Sequence, residues 1–296
     1  MALRKTRSGL HIPAFVPNGE LIMINTQTPT TRWVTVTPEM AMKWLDETNT
    51  KNRPVRETWV ARLAADMKAG RWRGQNGEAI RFDTSGRLVD GQHRLWACTQ
   101  SGMPFDTLLI TGVDEEDYGT IGIGRPKSFG DFLGPVHGEK NVYLLASMVR
   151  LVYRWQHGNL DSKGNVDPTI AELEITLRDH PGIRESANRV ASMAQLKRIL
   201  TSSFAGLIHY AGYLEGKTAM VESFLERLGS GLGLMDDDPV YHLRKFLLSQ
   251  RGIRPGYRRP TQVYILALAI KAWTASKEEK RIKALQFRTG DAFPQL

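Results

Sequence analysis

The ten residues Leu88-Val-Asp-Gly-Gln-His-Arg-Leu-Trp-Ala97 constrain this chain more than any other stretch. A short apolar strand runs into Asp90-Gly91 and then directly into a helical pattern whose first turn holds His93 and Arg94. Free N–H groups and the dipole at a helix N-terminus favour an anion. Cations in that turn are unfavourable unless an anion neutralises them, so the segment reads as built for a phosphate. Gly91 has no Cβ and lets the backbone approach a ligand closely. Gln92, His93 and Arg94 would present their N–H groups at the helix start. The donor fork of Arg94 suits phosphate oxygens, and His93 can donate to a phosphate or move a proton near neutral pH. Asp90 has three readings: a hold on a ribose hydroxyl, a Mg²⁺ ligand through a bridging water, or a helix cap. The plainer alternative for the whole turn is a capped helix with His93 and Arg94 on a solvated face.

The flanking segments extend this site. Ala79–Phe82 and Arg87–Val89 read as two strands joined by the turn Asp83-Thr84-Ser85-Gly86, a hairpin that delivers the Asp90 loop onto its helix. Glu78 opens the hairpin and meets Asp90 only if the register sets the strand ends side by side. A carboxylate beside a γ-phosphate can act as a general base or a metal ligand; a solvated strand end is the alternative. Downstream, Gly122–Ser128 holds Arg125 and Lys127 in a glycine-containing loop that could close over phosphates from the other side. Its spacing is not that of a Walker A loop, and a polar connection to the next domain explains it equally well.

The rest of the chain divides by pattern. Thr37-Pro38-Glu39 starts a helix, a second helix runs from about 56 to 69 and closes at Gly70, and the strand 107–111 follows the motif helix. Helical periodicity then dominates: 141–157, a helix opened by Asp167-Pro168, 183–200, 202–214, 218–228, 239–250 and 261–276. The expected fold class is therefore α+β: an extended leader over 1–33, a domain over 34–135 with a small mixed sheet, a hairpin and flanking helices, and an all-α region over 136–296. Asp236-Asp237-Asp238 before Pro239 reads as a helix cap, and the Trp and Met residues read as helical core.

Forty Lys and Arg against 31 Asp and Glu give a formal net charge of +9, which favours polyanionic partners. Gln250–Pro260 concentrates Arg251, Arg254, Arg258 and Arg259 around Tyr257. Arginines with an interleaved aromatic suit a phosphate backbone and stacked bases, so this loop is the candidate nucleic-acid contact; a solvated loop is its alternative. Cys98 is the one cysteine, which excludes an intramolecular disulfide and a cysteine-rich zinc site and suits a reducing cytosol. The most apolar run, Val263–Ala269, falls far short of the ~20 residues that span a bilayer. The N-terminus has no apolar signal region. A cytoplasmic protein without a membrane partner is expected.

Beyond the core motif, the chain carries Arg53-Pro54, Ala65-Asp66-Met67, Gly70-Arg71-Trp72, Asn76-Gly77-Glu78, Gly102, Pro104 and Gly124-Arg125-Pro126-Lys127. With Asp90-Gly-Gln-His-Arg94, this set resembles the DGQHR branch of the ParB/sulfiredoxin superfamily, a branch frequent in phages and mobile elements. The resemblance covers about a third of the chain. It implies a ParB/sulfiredoxin-like fold over 34–135 that binds a nucleoside triphosphate, ATP or CTP, with Mg²⁺. It places Gly91, His93 and Arg94 on the phosphates and makes the Arg125–Lys127 segment a second nucleotide contact. DNA is the implied partner, a homodimer is compatible, and the location would be the host cytosol if the gene is phage-encoded. Two departures narrow this. Gln92 stands where sulfiredoxins carry their catalytic cysteine, which argues against that chemistry. Gln-His-Arg stands where partition proteins have Glu-Arg-Arg, which argues against a CTP clamp. The expected activity is NTP hydrolysis or phosphoryl transfer on or near DNA, with Glu78, Asp90 and His93 as catalytic candidates. A non-catalytic DNA-binding protein and a ParB-like nuclease are the alternatives.

Overall fold

The computed structural model describes residues 11–15, 21–25, 29–114, 121, 128–161, 167–250, 260–288 and 290–296. The chain forms two compact units, Met1–Arg125 and Pro126–Leu296.

The first unit is α+β. Strands β1 (His11–Phe15) and β2 (Leu21–Asn25) pair antiparallel in a sheet of their own. The main sheet holds β3 (Thr30–Val36), β4 (Ala79–Asp83), β5 (Leu88–Asp90) and β6 (Phe105–Val113) in the order β3-β6-β4-β5. It is mixed: β6 runs antiparallel to β3 and parallel to β4, while β4 and β5 form the antiparallel hairpin. β3 begins at Thr30, so the sheet takes in the end of the segment expected as an extended leader over 1–33.

The helices are α1 (Pro38–Thr48), α2 (Glu57–Lys68) and α3 (Gln92–Ser101). Thr37 caps α1 by accepting the Met40 N–H at 3.3 Å, with Pro38 in the first turn, as the local sequence dictates. Between β4 and β5, Asp83 Oδ1 accepts the N–H groups of Ser85 and Arg87, each at 2.9 Å, and the Ser85 hydroxyl at 2.7 Å. This side-chain turn holds the hairpin tight. The apolar stripe Val60, Leu63, Ala64 and Met67 of α2 packs with Ala41, Leu45, Ile80, Phe82, Leu88, Leu95, Phe105 and Leu109 into one core. The edge of Trp44 meets Phe82 at 5.3 Å between ring centroids.

Among its described residues the second unit has no strand; its α-helices are α4 (Phe129–His137), α5 (Val142–Gln156), α6 (Ile170–Asp179), α7 (Ile183–Ser192), α8 (Ser202–Leu214), α9 (Thr218–Ser230), α10 (Pro239–Ser249) and α11 (Gln262–Lys277). Helices α8 and α11 are the most deeply buried, with Phe204–Gly212 wholly enclosed and Trp273 fully buried against Phe224. Helix α6 starts at a Thr169–Glu172 capping box, two residues beyond the expected Asp167-Pro168. Asp167 instead accepts from Arg150 at 2.6 Å and Arg154 at 3.0 Å. The helix expected over 183–200 ends at Ser192 and resumes only as a single 3-10 turn, Leu196–Arg198. There α9 packs closely: a Cβ on Gly229 would lie 3.0 Å from the Leu196 nitrogen. Asp238 caps α10 by accepting the Val240 N–H at 2.8 Å, as expected.

One expectation about side chains is corrected. Not every Trp and Met is core: Trp33 and Trp59 are 53% and 47% exposed, and Met42, Met103, Met220 and Met235 also face solvent. Cys98 is fully buried, and burial, followed by the nearby Glu39 charge, pushes its thiol up to about 11. A thiol held protonated in this way is inert.

Candidate anion site at the start of α3

The site is built by β5 running through a single glycine into α3. Gly91 is the helix N-cap, with φ 107° and ψ 0°, and no side chain caps α3. A Cβ on Gly91 would lie 2.3 Å from Ile80 Cδ1. Glycine is therefore required twice, for its positive φ and for its contact with β4. Asp90 does not cap the helix, which removes one of its three readings.

The register of the hairpin explains where Asp90 goes. Asp90 lies opposite Arg81, next to an irregularity in the β4–β5 pairing, so the two side chains form an ion pair. The same carboxylate oxygen lies 3.3 Å from Arg94 Nη2. Glu78 is not opposite Asp90; Arg94 links the two, with its Nη1 3.7 Å from Glu78 Oε2. Two carboxylates and two guanidiniums thus form one cluster along β4, β5 and α3. Asp90 is shared between Arg81 and Arg94 through Oδ2, and among the described residues no group of three or more His, Cys, Asp and Glu could hold a metal ion.

Gln92, His93 and Arg94 are all buried, at 5%, 8% and 8% exposure, so the solvated-face alternative does not hold. Each reaches a distant backbone. Gln92 Nε2 donates to the Arg53 carbonyl at 2.8 Å. His93 Nε2 accepts the Arg56 N–H at 3.1 Å. Arg94 Nη2 donates to the Ala79 carbonyl at 2.7 Å. The first two bonds tie the exposed strap Arg53-Pro-Val-Arg56 across the start of α3. Accepting at Nε2 fixes His93 as the neutral tautomer with its proton on Nδ1. Burial lowers its pKa below the usual imidazole value, helped by the charges of Arg53 and Arg56 and opposed by Asp90. His93 is therefore held neutral, with only Nδ1 left to donate.

Arg94 is the most unusual member. Burial works against its charge, while Asp90 and Glu78 support it. Its Nη1 is buried and has no hydrogen-bond partner; the Glu78 oxygen at 3.7 Å is near enough to attract it electrostatically but too far for a hydrogen bond. An unpaired guanidinium nitrogen costs free energy that a ligand oxygen would recover.

Of the other predicted residues, Arg125, Lys127, Arg251, Arg254, Tyr257, Arg258 and Arg259 lie outside the described residues. Arg53, Arg56 and Arg81 belong to the site but were not singled out for it from sequence. The pairing of Arg81 with Asp90 was available from the hairpin alternation; the strap arginines gave no local signal. No helix among the described residues is long and apolar enough to cross a membrane. Comparison with family models, curated proteins and solved structures gives no match.

Proposed function

We propose that the protein binds a nucleoside triphosphate at the start of α3 and cleaves or transfers its terminal phosphate, as the resemblance to the ParB/sulfiredoxin superfamily implies. The observation that carries this reading is the buried Arg94 with an unpartnered Nη1, set beside a helix N-terminus that no side chain caps. Backbone N–H groups, a positive dipole end and a free guanidinium nitrogen together suit phosphate oxygens. Catalysis here would be positioning and charge neutralisation. Arg94 would stabilise charge on the transferring group, and Glu78, whose side chain is 63% exposed, is the carboxylate placed to orient an attacking water or hydroxyl. His93 supports the site by fixing the strap and not as a proton shuttle through Nε2.

The test is a thermal-stability panel of ATP, CTP, GTP and UTP, each with and without Mg²⁺. A ligand at a hundred times its Kd adds about 2.7 kcal/mol to the stability of the folded state. No shift with any triphosphate refutes the proposal; a shift that Arg94→Lys weakens and Arg94→Met abolishes supports it.

DNA binding is the second reading, and one observation favours it. Residues 251–296 hold ten Lys and Arg against three Asp and Glu, so the basic excess of the helical unit sits in its last segment. Such a segment would grip the phosphate backbone, with affinity falling steeply as salt rises. Arg258→Ala combined with Arg259→Ala should flatten that slope, and an unchanged slope excludes the loop.

A further inference from the structure

The strap held by Gln92 and His93 carries a surface that phosphate binding alone does not require. Trp59 is 47% exposed and Val55 is 37% exposed, and Arg53 and Arg56 beside them are exposed as well. Arg56 is the N-cap of α2. Its N–H is the group bonded to His93 Nε2 at 3.1 Å, and its carbonyl accepts the Trp59 N–H at 2.9 Å. Trp59 therefore stands in the first turn of α2, about 5 Å along the helix axis from the residue that touches the start of α3.

The buried stripe of α2 is Val60, Leu63, Ala64 and Met67, and Trp59 flanks it one turn before Leu63, with about half of its surface left in water. This large indole stands in the helical turn that follows the exposed strap Arg53-Pro-Val-Arg56. Its chemistry is complementary to one ligand class: a planar aromatic ring joined to a chain of negative charge. The indole offers a π-face for the ring, and Arg53 and Arg56 supply cations on the adjoining strap. Inorganic phosphate would use the arginines and leave the indole idle.

We infer that Trp59, with Val55 next to it on the strap, is the base-stacking platform for a nucleotide whose phosphates lie at the start of α3. This rests on the reading of the phosphate site given above. A purine, with the larger ring system, is favoured over a pyrimidine.

The experiment compares the full-length protein with Trp59→Ala and Trp59→Phe, titrated calorimetrically with ATP, CTP and inorganic tripolyphosphate. Wild type should bind ATP roughly tenfold to a hundredfold more tightly than tripolyphosphate, the range expected for one stacked base. CTP should fall between them. Trp59→Ala should bind ATP no better than tripolyphosphate while keeping its tripolyphosphate affinity, and Trp59→Phe should retain most of the ATP preference. Equal binding of ATP and tripolyphosphate by wild type overturns the platform and leaves the phosphate site standing. An unchanged ATP affinity in Trp59→Ala overturns it in the same way. A parallel loss of both ligands in Trp59→Ala assigns Trp59 a structural role and also overturns it. If wild type binds neither ligand, the phosphate site and the platform both fall.

Discussion

Arg94 Nη2 donates to the Ala79 carbonyl at 2.7 Å, so the first turn of α3 is fastened to the first residue of β4, next to Glu78. The arginine is thus a structural tie as well as the proposed phosphate contact, and its substitution should show both roles. Arg94→Met leaves the buried carbonyl without this donor and Glu78 without its charge partner, and should cost about 2–4 kcal/mol in urea denaturation. Arg94→Lys keeps the charge but not the fork and should cost visibly less. Equal losses in the two variants would mean that the charge contributes nothing.

Gly91→Ala tests the other fixed point of the turn. The new Cβ would meet Ile80 Cδ1 at 2.3 Å, on a backbone at φ 107°. Steric overlap and left-handed strain each contribute about 1–3 kcal/mol, so a loss of about 2–6 kcal/mol is expected. Ile80→Val removes the clashing methyl and alone costs about 0.5–1.5 kcal/mol. The double variant should be more stable than additivity predicts by about 1 kcal/mol. Strict additivity would show that the two groups do not meet.

The neutral state of His93 makes a prediction about pH. Its pKa is lowered in the folded protein from the ordinary 6.5. Below about pH 6.5 the unfolded chain takes up a proton that the folded site resists, so stability is full above that pH and is lost as the pH falls toward the folded value. His209, buried beside Ser186 and Glu222, is shifted in the same direction, with burial the largest cause. His93→Gln can still accept the Arg56 N–H but cannot titrate. Denaturant midpoints measured from pH 7.5 to 5.5 should fall less steeply in that variant than in wild type. A steeper fall would show that protonation of His93 is stabilising.

Much of the fold was legible because its signals are local. The strand–glycine–helix passage at 88–92, the Thr37-Pro38 start of α1 and the helix over 202–214 depend on neighbours in sequence. The burial of His93 and Arg94 was not legible, because Arg56 and Ala79, the groups that receive them, lie 37 and 15 residues away. Asp90 illustrates the same limit: an acidic residue before a helix is an ordinary cap, and only the strand register that sets Arg81 opposite draws it away. The break after Ser192 falls inside a stretch whose helical periodicity continues to 200, so no local pattern announced it. Trp59 is different. Its position off the Val60–Met67 stripe was readable, and counting every Trp as core overlooked it.

Two glycines in α8 give the sharpest test of the helical unit. A Cβ on Gly206 would lie 2.3 Å from Met148 Sδ, and one on Gly212 would lie 2.7 Å from Val221 Cβ. The shorter contact should be the less damaging. A thioether on three rotatable bonds can move aside, whereas the Val221 Cβ is fixed to its backbone in α9 and cannot. Alanine also gains about 1 kcal/mol over glycine in a helix interior, which offsets part of either clash. Gly206→Ala should therefore change stability by about 1 kcal/mol or less, and Gly212→Ala should lose about 2–3 kcal/mol as α8 and α9 are forced apart. Thermal denaturation of the two single variants decides this, and a larger loss for Gly206→Ala would show that the packing of α5 against α8 is the more rigid of the two contacts.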